Sequence, residues 1–237
     1  KTLSYIIIFV LSFVLINNSF SQPYYYNSGD PTNVSNWGNL PGGTGTNPPD
    51  FAQSTDYIIE GGKSASVNSN WTIFNGGVTK LVINTDATLI NNSNIFFSGF
   101  VIFQLDSNAT YNHNTTVTAH SSVFAGIEFF KPHSNVIINN WSSTFNSLFT
   151  GLTYTSGTHI FGNLEINWTG NSGEWYQNLN TSFTMCANTL KITSTGDGIL
   201  IWNANGSSSS SVFRVTDYIQ TGGEVDFSLG STIVGGY

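Results

Sequence analysis

The sequence predicts an all-β fold: a right-handed parallel β-solenoid (β-helix) with an N-terminal capping segment. Three observations carry that expectation. Apolar runs are short, rich in Ile, Val, Phe and Thr, and bounded by Gly, Asn, Asp and Ser, as in Tyr57-Ile58-Ile59, Lys80-Leu81-Val82-Ile83 and Val101-Ile102-Phe103. That is a strand signature without helical period. The Thr-Gly pair recurs at equal intervals, at Thr169-Gly170, Thr195-Gly196 and Thr221-Gly222, each closing a strand-like segment. A looser ladder runs through Leu89, Tyr111, Ile138, Leu164 and Leu190, with Thr216 as a polar last member. One such coil cannot bury its apolar face alone, whereas stacked coils share a continuous core. The crossover rule supplies the hand. An antiparallel sandwich or barrel is the competing architecture, but tight-hairpin signals are sparse.

Residues 1–21 read as a secretory signal peptide. Lys1 gives a positive start, Ile6 to Ile16 form an apolar run interrupted only by Ser12, and Ser19 and Ser21 are small residues before the expected cut. The run is shorter than the about 20 residues that a bilayer-spanning helix needs, so no transmembrane anchor is expected once it is removed. Residues 22–60 read as a cap. Tyr24-Tyr25-Tyr26, Trp37 and Phe51 alternate with the turn residues Gly29-Asp30-Pro31 and Pro41-Gly42-Gly43, which suits a segment covering the bare strand edges of a first coil. Residues 61–237 carry the solenoid repeats, and Gly206 to Ser211 reads as a low-complexity loop bulging between coils. A first residue other than Met and an end at Gly235-Gly236-Tyr237 read as a fragment of a longer polypeptide, with further C-terminal domains expected.

Composition excludes several functions. Charged residues make up 8% of the chain, and 6 Lys+Arg stand against 13 Asp+Glu. Scattered cations of that number cannot displace counterions along a phosphate backbone, so no nucleic-acid partner is expected. A single cysteine, Cys186, excludes an internal disulfide and reads as a small buried strand residue. The aromatic content of 14% argues against disorder.

His113, His120, His133 and His159 show no metal-ligand spacing and read as surface or turn residues, with His113 aligned on Asn91 and Asn140. Asp106-Ser107-Asn108 is a weak calcium motif. Glu224 and Asp226 would share one strand face, with Asp197 on a nearby coil, the nearest approach to a glycosidase pair. The lysines Lys63, Lys80, Lys131 and Lys191 stand apart from any acid cluster. No catalytic residue, metal site or cofactor is therefore assigned. Aromatics near turns are the remaining binding candidates: Trp141, Trp168, Trp175, Tyr176 and Trp202, whose flat rings would stack on a sugar or anchor a protein. Core filling is the competing role for each.

Tyr24-Tyr25-Tyr26-Asn27-Ser28-Gly29-Asp30, Trp37-Gly38 and Gly43-Thr44-Gly45, with Pro49-Asp50-Phe51, resemble the beginning of large repetitive surface proteins exported by the bacterial type IX route. Phe161-Gly162-Asn163-Leu164-Glu165-Ile166-Asn167 and Tyr218-Ile219-Gln220-Thr221-Gly222-Gly223 are similar to their internal repeats. The resemblance implies an exported, adhesin-like β-solenoid, secreted or attached to the cell surface and normally followed by a C-terminal sorting domain. The expected function is a non-catalytic structural or binding module with glycans or host and matrix surfaces as its contacts. The alternative is a polysaccharide lyase or hydrolase on a β-helix.

Overall fold

The computed structural model describes residues 22–74, 79–99, 101–116, 127–141, 157–178, 183–203, 212–226 and 233–235. The chain enters through β1 (Tyr24–Tyr26), a single 3-10 turn (Val34–Asn36) and β2 (Trp37–Gly38). Then it winds. The first two coils hold three strands each: β3 (Asp56–Ile59), β4 (Ser64–Val67) and β5 (Trp71–Phe74), then β6 (Thr79–Ile83), β7 (Thr88–Asn91) and β8 (Ile95–Ser98). The next two contribute β9 (Val101–Leu105) with β10 (Thr110–His113), and β11 (Ile127–Phe130) with β12 (Asn135–Ile138). Further on, long strands take over: β13 (Gly157–Asn167) with β14 (Glu174–Asn178), β15 (Phe183–Ser194) with β16 (Ile199–Asn203), and β17 (Val212–Gln220) with β18 (Glu224–Asp226), before β19 (Ile233–Gly235).

The fold is a parallel β-solenoid. The longest sheet has 8 strands in the order β19-β17-β15-β13-β12-β10-β7-β4, every pair parallel, one strand from each pass of the chain. A second sheet holds β11, β9, β6, β3, β1 and β2, and the third side is built from β5 with β8 and later from β14, β16 and β18. Leu164 pairs with Leu190 on the adjacent coil, as the repeat spacing requires. Alternate residues point inward, so Leu89, Tyr111, Val136, Leu164 and Leu190 form one buried file.

That file corrects the expected ladder at two points. Val136, not Ile138, pairs with Tyr111 and Leu164, and Tyr218, not Thr216, pairs with Leu190. Corner length is the reason. Early coils turn from the second sheet into the longest one through four-residue corners, 60–63, 84–87, 106–109 and 131–134, each closed by the N–H of its fourth residue donating to the carbonyl of its first. The third residue is left-handed every time: Gly62 (φ 75°), Asp86 (61°), Asn108 (61°) and His133 (64°). Gly, Asp and Asn are the types that accept such a conformation at least cost. Asp106-Ser107-Asn108 is therefore corner architecture. The lower register shift has a similar origin. Ile192 pairs with Gln220 and Ile199 with Glu224, so six residues, 193–198, lie between these paired positions on one coil and three, 221–223, on the next. Gly223, not Thr221-Gly222, consequently stands against Thr195.

From β13 onward the corner disappears into a continuous strand. Gly162 makes this possible, because a Cβ there would sit 2.5 Å from both the backbone N and O of Ser134.

At the N-terminal end, β1 lies parallel on β3 and β2 antiparallel on β1. Trp37 is fully buried among Tyr26, Phe51, Tyr57 and Trp71, with ring centroids 5.5–6.0 Å apart. Its indole Nε1 donates to the Pro31 carbonyl at 2.8 Å. The stacked coils begin at Asp56, since β3 already pairs with β6. The expected signal segment 1–21 and the whole low-complexity loop 206–211 lie outside the described residues. Among those residues, no helix is long and apolar enough to cross a membrane.

Candidate functional site

Strand alternation that buries Leu, Val and Ile on one side turns a regular polar surface outward on the other. On the longest sheet, Thr88, Thr110, Asn135, Asn163 and Thr189 form one outer file. Ile90, Asn112, Ile137, Glu165 and Lys191 form the next. A groove of about 460 Å³ runs along these two files, lined by Thr110, Asn135, Ile137, Asn163, Glu165, Thr189 and Lys191, with Val136 and Leu164 in its floor. Asn163 Nδ2 donates to Asn135 Oδ1 at 2.9 Å. Lys191 Nζ lies 3.0 Å from Glu165 Oε1, which also accepts from Thr193 Oγ1 at 2.5 Å. The lining thus offers amides, hydroxyls, one aliphatic side chain and one internally compensated ion pair.

A third outer file bounds the groove. Asn68, Asn92, Asn114, Asn139 and Asn167 each lie two residues beyond the second file and form an amide ladder along the stack. From Asn92 onward each Nδ2 donates to the Oδ1 of the preceding coil, at 2.9, 2.9, 2.8 and 3.0 Å. Aligned amide bonds of this kind polarise one another and fix neighbouring coils in register.

Two of the tryptophans expected at the surface, Trp141 and Trp168, are buried. Trp141 is 1% exposed and Trp168 4%, so neither ring face is open to a ligand. Both follow Asn residues at the end of a longest-sheet strand, where the chain turns and a large ring fills the interior corner, as Trp71 does in the first coil. Trp175, Tyr176 and Trp202 belong to the third side. The backbone registers Trp175 with Leu200, Tyr176 with Ile201 and Gln177 with Trp202, while the side chains themselves lie outside the described residues.

His113 is a second correction. It is fully buried rather than in a surface turn, and it registers with Asn91 and Ile138, not with Asn140. Asn91 Nδ2 donates to the Tyr111 hydroxyl at 3.0 Å, that hydroxyl lies 2.9 Å from His113 Nδ1, and the His113 and Trp141 ring centroids are 4.8 Å apart. Burial pushes the imidazole down to about 3, so it is neutral. His133 is a corner residue, as expected of a turn histidine. His120 and the side chain of His159 lie outside the described residues.

The lysines are not isolated from acids. Lys80 meets Asp56 (3.8 Å), Lys131 meets Asp106 (2.7 Å) and Lys191 meets Glu165, each pair joining adjacent coils, while Lys63 meets Glu60 in its own corner at 3.5 Å. Partly exposed pairs of this kind contribute at most about 1 kcal/mol each. Glu224 and Asp226 alternate along β18, and the Glu224 backbone N–H donates to Thr195 Oγ1 at 2.8 Å. Among the described residues, no group of three or more His, Cys, Asp or Glu converges as a metal would require.

Sequence reasoning missed the groove. Its signal was available, since Glu165 and Lys191 are separated by the same interval as Leu164 and Leu190. No protein-family model, curated protein or solved structure matches this chain.

Proposed function

We propose that this chain is a secreted or cell-surface, adhesin-like binding module that holds ligands by contact and does not transform them. The observation that carries the reading is the outer face of the longest sheet, where polar side chains repeat in files at the coil spacing and border a groove. A repeated face offers many modest contacts, and displaying several copies converts modest affinity into firm attachment. The apolar leader-like start and the resemblance to type IX surface proteins supply the exported setting.

The test is a glycan and extracellular-matrix array probed with the intact chain, run beside a reducing-sugar release assay on the same polysaccharides. Saturable binding without release is the expected result. Turnover that disappears in Glu224→Gln or Asp226→Asn would replace this reading with that of a carbohydrate-active enzyme.

A further inference from the structure

We propose that the groove on the longest sheet takes an uncharged, extended oligosaccharide of about three sugars, lying along the stack axis. The inference rests on the binding-module reading and gives it a ligand class and a location. Charge comes first. Among the described residues, the only ionised groups in the lining, Glu165 and Lys191, satisfy each other at 3.0 Å. The groove is therefore neutral within a chain of formal charge -7. A polyanion would meet long-range repulsion and one lysine already engaged, and a polycation would find the one carboxylate of the lining already engaged, the next, Asp217, standing a coil beyond Thr189 in the same file.

What the groove offers instead matches hydroxyls. Thr110, Asn135, Asn163 and Thr189 occupy the same file on four successive coils. Each amide has two N–H donors and a carbonyl acceptor, so the single Asn163–Asn135 bond leaves capacity for a ligand. Neighbouring coils repeat at about 4.8 Å, close to the rise of one hexose in an extended chain. Four coils thus span three steps, about 14 Å, and present four polar groups, one at each end of every step, along about three sugars. Half-buried Ile137 in the adjacent file supplies an apolar surface for a sugar C–H face. A peptide strand would need an open sheet edge for its backbone, and this site is the face of a sheet whose strands are paired on both sides.

The experiment titrates the intact chain with neutral gluco-, manno- and xylo-oligosaccharides of two to six units, following the side-chain amide signals of Asn135 and Asn163 by NMR. Oligogalacturonate, glucosamine oligomers and a Ser/Gly peptide serve as comparators. At least one neutral series should bind, gaining about tenfold from two units to three and little beyond four, with both amide signals shifting. Raising salt from low to high should change that affinity less than twofold, because no net charge is engaged. Asn163→Leu should weaken binding at least tenfold. Ile137→Lys gives a second reading from an outward position that leaves the core untouched, and the same loss is expected. Tighter binding of either charged series or of the peptide overturns the proposal. So does neutral-glycan binding that both variants leave intact, although the module would still be a binder. Silence of the chain on the whole array defeats the binding-module reading itself.

Discussion

Burial against Tyr111 and Trp141 holds the His113 imidazole neutral, at about 3 against an ordinary value of 6.5. The folded chain therefore refuses a proton that the unfolded chain accepts once pH drops below about 6.5. Stability from this residue is fully present above about 6.5 and declines as pH falls toward 3, by about 1.4 kcal/mol per pH unit. Urea unfolding at pH 7, 6, 5 and 4 should show a shallower acid decline in His113→Asn, which places in the file the residue type found at Asn91. An unchanged slope would mean that another group dominates. The asparagine ladder belongs to the same scale. Asn114 makes one ladder bond to each neighbour, so Asn114→Ala should cost about 1–2 kcal/mol by denaturation, against roughly half that for Asn68→Ala at the end. Asn114→Asp should cost at least as much, because a carboxylate cannot donate to Asn92.

Corners set the behaviour of elements. Asn108 is left-handed at φ 61°, so Asn108→Gly should be neutral or slightly stabilising, whereas a β-branched Asn108→Val should lose about 1–2 kcal/mol in thermal or chemical melts. Gly162→Ala should destabilise too, since its Cβ meets Ser134 backbone on the neighbouring coil. These corners also explain what could be read beforehand. Stacking, parallel pairing and the Leu164–Leu190 register followed from apolar period and repeat length. The slip at Ile138 arose because Val136 and Ile138 both point inward, and period-2 alternation cannot choose between them. Only the corner Lys131-Pro132-His133-Ser134 decides. The ladder stayed hidden because its intervals of 24, 22, 25 and 28 residues are unequal, varying with the length of chain between the corners, in a sequence where Asn is abundant. Trp141 and Trp168 misled because turn-rich neighbours suggest exposure, while an interior corner needs a large ring.

At the scale of the whole molecule, stability is a sum over coils and their interfaces. Ile83 and Leu105 occupy equivalent positions on adjacent coils, so excising residues 84–105 joins two equivalent points. That deletion should leave a cooperatively folded β protein, with Asn114 now able to meet Asn68. Retained β circular dichroism with a lower melting temperature is the expected observation, and a chain that no longer folds would count against independent coils. The end coil is less forgiving. Trp37→Ala empties the centre of the aromatic cluster over the first coil and should cost about 3–5 kcal/mol.

The amide ladder has a further consequence, for fidelity. A coil displaced by two residues keeps its inward-facing positions inward, so the core registers the error only weakly. The ladder does register it. Such a shift would bring Ile137 to the ladder position of Asn139 and break the bonds on both sides at once. The file of side-chain amides therefore acts as a proofreader of winding, rejecting the class of misfold that oil-like packing alone would accept.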